Sequence, residues 1–227
     1  MDSNHLENLF SDLLKLQQQS SNTLPPVHLW NPPLSGDMDI FIDRQVRWIH
    51  EGSEIRRAAL VKLFASILVR EENQYFLVTP VEKWRIQVAL APLFVVSATR
   101  QIRNAMQAIT LTTSTGDVVL LDKTHPLFMY FGAESFKSLD NRDSSAELAH
   151  ADQGIPMVIV RDNIPALVGR NVYYELIDWA LDNNPDNNPD SSIDNRKDEA
   201  NESAEEGLES QGVYLASMGE RFYLGQT

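Results

Sequence analysis

Met157–Ala180, MVIVRDNIPALVGRNVYYELIDWA, reads as strand, strand, helix, and the same pattern occurs earlier in the chain. Shifted back by 117 positions, Val158 falls on Phe41, Ile159 on Ile42, Arg161 on Arg44, Gly169 on Gly52, Val172 on Ile55, Ile177 on Leu60 and Leu181 on Phe64. Beyond the helix the offset grows to 138, with Tyr214 on Phe76 and Leu215 on Leu77. The agreement is one of apolar pattern rather than identity. The difference of 21 residues marks an insertion that coincides with an acidic run.

Both helices of this repeat carry wide apolar arcs. In the first, EIRRAALVKLFASILVREE with Ser53 as its expected N-cap, Leu60, Val61, Leu63, Phe64, Ile67 and Leu68 oppose Arg56, Lys62, Ser66 and Arg70. In the second, Val172, Tyr173, Tyr174, Leu176, Ile177, Trp179, Ala180 and Leu181 oppose Glu175 and Asp178. A helix on a flat sheet buries a stripe of about 100°. The wider arcs predict helices wrapped by curved sheets. The flanking segments MDIFID, VRWIH, QYFLVT, RIQVALA, LFVVSAT, AITLTTS, VVLLD and PLFMYF read as strands, and Thr115-Gly116-Asp117 reads as a hairpin turn.

The expected fold class is therefore α+β, with two pseudo-repeated domains, each a curved, mostly antiparallel sheet around one central helix. The expected division is residues 1–33, an amphipathic helix and a Pro-rich linker; 34–91, the first repeat; and 92–227, the second, with a disordered acidic insert at 182–210.

The chain has 227 residues, no cysteine and a formal charge of −13. Without cysteine there are no disulfides, thiolate metal sites or cysteine nucleophiles. Such acidity argues against a nucleic-acid or anionic-membrane binder, which needs a cationic face. Residues 182–210 hold ten acids against Arg196 and Lys197, a net of −8. Residues 83–116 hold Lys83, Arg85, Arg100 and Arg103 and no acid, a cationic strip that reads either as ordinary strand surface beside a solvated insert or as a surface the acidic insert covers. The N-terminus lacks a basic start and a continuous apolar run, so a cytoplasmic protein is expected.

No serine-hydrolase elbow, P-loop, dinucleotide fingerprint or zinc helix occurs, and the five histidines are scattered. No catalytic residue, metal ligand or cofactor is assigned. The ligand-binding candidates are His50, Arg56, Arg57, Glu82, Lys83 and His125. His50 shares a strand face with Trp48, beside the two arginines expected to open the first helix. Glu82 and Lys83 lie in TPVEKW, between two strands. Opposite charges at such a turn ordinarily form a surface pair.

WNPPLSG (30–36), DIFI from Asp39, WIHEG (48–52), Ile55-Arg56, LVKLFASIL from Leu60, YFLVTPVEK (75–83), HPL from His125 and RNVYYEL from Arg170 resemble a bacterial family, domain of unknown function family 1285. The likeness spans about residues 30–181. It implies two similar domains, each a curved sheet around a helix, and a role in signal transduction. VALAPL (88–93) departs from the acidic residues and Phe of the family pattern, and the insert is peculiar to this branch of it.

The expected activity is non-enzymatic: a regulatory or sensory module binding a small anionic ligand or a protein partner between its two domains, with no nucleic acid and no membrane. Oligomeric state is left open. The alternatives are an enzyme whose polar residues converge from both repeats, such as Glu82 with His50 or His125, and a purely structural adaptor.

Overall fold

The computed structural model describes residues 24–132, 154–182 and 212–226. The expected N-terminal helix, residues 133–153 and nearly all of the acidic insert lie outside these residues.

Strands β1 (Leu34–Ile42), β2 (Trp48–His50), β3 (Ser53–Glu54), β4 (Leu68–Glu71), β5 (Gln74–Val78) and β6 (Lys83–Val88) form one six-stranded sheet, with helix α1 (Ala58–Ser66) between β3 and β4. A second sheet holds β7 (Leu93–Arg103), β8 (Met106–Thr113), β9 (Val118–Leu120), β10 (Leu127–Tyr130), β11 (Ile155–Arg161) and β12 (Ile164–Val168). Helix α2 (Arg170–Asp182) and the hairpin β13 (Gly212–Ser217) and β14 (Glu220–Gln226) follow.

The two sheets share one plan. Their strand orders are β3-β2-β1-β6-β5-β4 and β9-β8-β7-β12-β11-β10. In each, two antiparallel three-stranded meanders meet where the first and last strands run parallel, β1 with β6 and β7 with β12. The fold is mixed α+β with two similar halves, each carrying one helix.

The register of the duplication differs from the expected one. At an offset of 117, β11 lies over β1 and α2 over α1, and the local order β-β-α-β-β does recur. Pairing does not follow it: β1 pairs with β6, whereas β13 and β14 pair with each other in a separate ribbon. An apolar alternation fixes which face a strand buries, not which partner it takes.

The first helix is shorter than its apolar pattern suggests. Ser53 lies in β3 and the N-cap is Arg57, so Arg56 and Arg57 precede α1 rather than form its first turn. The helix stops at Ser66, whose hydroxyl donates to Leu63 O at 2.6 Å. Leu68–Glu71 then becomes a strand, because the two-residue turn Glu72-Asn73, with Glu72 at φ 53°, folds it back on β5.

β11 explains the continuous apolar run MVIV. Val158 and Val160 join a core cluster that runs from Met38 to Leu224 through both halves, while Met157 and Ile159 join Ala91 and Phe128 in a smaller cluster. A strand buried on both faces needs apolar residues at successive positions. In the first half Phe64 is fully buried and stacks on Trp48, with centroids 6.3 Å apart.

The halves are joined by a polar clamp. Arg161, at the end of β11, reaches Asp117 with Nη1 and the α1 carbonyl of Ala65 with Nη2. Asp117 Oδ2 accepts from the hydroxyls of Thr113 at 2.9 Å and Thr115 at 2.7 Å, and its backbone N–H donates to Thr113 Oγ1 at 2.9 Å. Asp117 and Arg161 side chains are only 9% and 16% exposed. Nearby, Arg70 Nη1 donates to Asn163 O at 2.8 Å and the guanidinium lies 5.6 Å from the Tyr75 ring centroid. Burial pushes the Tyr75 hydroxyl up to about 12, with Tyr130 adding to the rise and Arg70 opposing it.

Arg161→Ala leaves Asp117 and a helix-end carbonyl buried without their partner, so urea unfolding is expected to show a loss of about 3–5 kcal/mol. Arg161→Lys should recover only part, because an ammonium lacks the fork that reaches both acceptors. Tyr75 is protonated in the fold above the pH at which it ionises in the unfolded chain, near 10. Its contribution is therefore intact below pH 10 and lost as pH rises towards about 12. Melting temperatures of Tyr75→Phe should fall less steeply across that window than those of the parent.

Candidate functional site

The structure disperses the six sequence candidates. His50 faces Ile40 across the β1–β2 ladder, and its Nδ1 lies 2.7 Å from Asp39 O. Lys83 lies opposite Leu34, at the other end of β1. Six residues of strand, roughly 20 Å, separate these rungs, so His50 does not converge with Glu82 and Lys83. Arg56 is exposed, with Nε 4.0 Å from Glu54, and Arg57 is the N-cap of α1. His125 sits in a turn made by Asp122, whose Oδ1 accepts from Thr124 and His125 backbone N–H groups at 2.8 and 3.0 Å.

TPVEKW is a turn built on Thr79. Its hydroxyl accepts from Glu82 N–H at 3.0 Å, and its own N–H donates to Glu82 O at 2.8 Å. Glu82 and Lys83 do not pair with each other. Glu82 Oε2 accepts from Trp84 Nε1 at 3.2 Å, whereas Lys83 Nζ meets Glu71 at 2.5 Å and lies over the Phe76 ring.

Two further cations of the strip likewise meet acids of other elements. Arg85 Nε meets Asp37 at 2.6 Å, and Arg100 lies over Trp179 with Nη1 3.6 Å from Asp182. Asp182, expected to begin the disordered insert, is the last residue of α2.

A site missed by sequence reasoning lies in the second half. A cavity of about 900 Å³ is bounded by β7, the ends of β10 to β12, the start of α2, and β14. This volume falls within the range of roughly 300–1,000 Å³ found for small-molecule sites. The expected crevice between the halves is not where this cavity lies. The described junction is occupied by the Arg161 clamp and continuous core.

Close packing against glycine builds the walls. A Cβ on Gly169 would meet Val95 O at 2.9 Å and the Phe94 ring at 3.0 Å, and one on Gly154 would meet the Phe131 ring at 2.7 Å. Only glycine lets these rings lie on the backbone. Opposite them, the Tyr173 hydroxyl donates to Leu224 O and ties α2 to β14. Burial raises the Tyr173 hydroxyl above its ordinary range, with Tyr223 and Tyr174 adding to the rise, so it stays a donor at neutral pH. Tyr223 is raised by burial and by Tyr214, whose ring centroid is 5.5 Å away.

Among the described residues that line it five are aromatic, and the sole charged one is Arg170. There is no carboxylate among these described residues, in a chain with 32 acids. The signal in the sequence was Gly169-Arg170 at the head of RNVYYEL, where two tyrosines follow a glycine at a strand-to-helix junction. The wide apolar arc of α2 treated Tyr173 and Tyr174 as core. Tyr174 is 55% exposed.

Among the described residues no helix is long and apolar enough to cross a membrane. No group of three His, Asp or Glu side chains among them is placed to hold a metal ion.

Comparison with solved structures finds a DUF1285 family protein from Silicibacter pomeroyi DSS-3 at 31% identity, with a TM-score of 0.66 and 95% of each chain covered. The chain belongs to the DUF1285 family. The model of the domain of unknown function (DUF1285), N-terminal domain, matches residues 25–91, which hold the first sheet. A DUF1285 family protein from Shewanella baltica OS155 is similar at 25% identity, covering 62% of this chain and 91% of its own, with a TM-score of 0.43. No curated protein matches. For this DUF1285 chain the match to the first protein extends through the second half, where the cavity lies.

Tyr173→Phe removes the donor to Leu224 O and is expected to cost about 1 kcal/mol. Hydrogen exchange should locate the loosening in β13 and β14 rather than in the first sheet.

Proposed function

We propose that the chain is a non-enzymatic regulatory or sensory module, of the kind used in signal transduction, that binds a small anionic ligand in the second-half cavity. The observation that carries this reading is the lining: among the described residues it holds five aromatic side chains and one cation, Arg170, with no acid, in a strongly acidic protein. Arg170 makes no ion pair with any described residue, so its guanidinium is available to a ligand. A carboxylate or phosphate beside it gains charge-assisted hydrogen bonds that a neutral group does not.

The sequence candidates support the regulatory rather than the catalytic alternative. Glu82 and His50 are separated along β1, and His125 is engaged in its own turn with Asp122 and Thr124. General acid–base chemistry needs its groups within hydrogen-bond reach of one substrate. In a cytoplasmic setting the ligand is a metabolite whose binding the module reports to a partner.

A thermal-shift screen of anionic metabolites and nucleotides is expected to yield ligands that raise the melting temperature in proportion to the logarithm of their concentration. Leu167→Trp, which fills the cavity, should abolish those shifts. Shifts of equal size in that variant would place the ligand elsewhere.

A further inference from the structure

We infer that the ligand of this cavity has a flat aromatic body, stacked among the fixed rings, with its acid group towards Arg170. This rests on the proposed ligand site and adds the shape of what fills it.

Three of the rings lie against or are tied to backbone, and a fourth packs on a neighbouring ring. Phe94 lies on Gly169 and Phe131 on Gly154, at distances that leave no room for a Cβ. Tyr173 is held by its hydroxyl to Leu224 O. Tyr223 packs beside Tyr214, with ring planes tilted by 59°. Walls fixed in this way lose little entropy on binding. Rings also gain more from another ring, offset or edge-on, than from an equal area of alkyl chain. An aliphatic tail would additionally have to surrender its own rotamers. Ring faces attract cations as well, but Arg170, the sole charged residue among the described lining, repels them.

The test uses the full chain and three probes of similar size: 2-naphthoate, decanoate and 2-naphthalenemethanol, titrated by calorimetry. 2-Naphthoate is expected to bind about tenfold more tightly than decanoate, and about fivefold more tightly than the uncharged alcohol, the scale of a partly exposed ion pair. Phe94→Leu keeps an apolar wall but removes a ring. It should lower naphthoate affinity while leaving decanoate nearly unchanged, so that the ratio between them collapses. Equal binding of the two carboxylates, or a ratio unmoved by Phe94→Leu, would overturn the aromatic inference while leaving the anionic site standing. Equal binding of naphthoate and its alcohol would instead remove the anionic reading and keep the ring preference. Failure of all three probes to bind overturns both.

Discussion

The guanidinium of Arg161 is the point at which the two halves become one structure. It belongs to β11, yet one of its nitrogens reaches the last turn of α1 at Ala65 O. A helix C-terminus presents carbonyls without partners and a partial negative charge, so a cation from another element satisfies both needs. The second nitrogen takes Asp117, which Thr113 and Thr115 already hold in place. An arginine buried this far would destabilise the fold without such a set of acceptors. Two sheets with one strand order can therefore pack as a single core.

The duplication carries an asymmetry that matters for function. In the first half the helix lies between the third and fourth strands of the sheet. In the second half the corresponding connection has no helix; α2 follows the sixth strand instead and is roofed by β13 and β14. The cavity lies where this added layer meets β7 and β12. Arg170, Tyr173 and Tyr223 are there because the extra helix and hairpin are there.

Much of the fold was legible. β5, β8, β9 and β10, the Thr115-Gly116-Asp117 turn and the helix at 170–182 follow from alternation, turn chemistry and apolar spacing. The failure at Ile67–Glu71 has a simple cause: an apolar run at helical spacing also suits a strand, and the Glu72-Asn73 hairpin decided between them. The candidate site was less legible. His50, Lys83 and His125 were selected as polar residues near turns, and each is engaged by its own surroundings, at Asp39 O, Glu71 and Asp122. Phe94, Phe131 and Tyr223, far apart in sequence, gave no local sign of meeting at one cavity.

By itself the sequence determined the class of the protein: an acidic α+β chain with alternating strands, two amphipathic helices and a repeated order of elements. Those properties depend on neighbours three or four positions away, which periodicity records. Tertiary structure alone decided that β1 meets β6 and β7 meets β12, that Arg161 caps a helix from the other half, and that aromatic rings surround a cavity beside Arg170. Each joins residues from distant parts of the chain, and the energy that selects such partners comes from burial and from satisfying buried polar groups, which no short window of sequence contains.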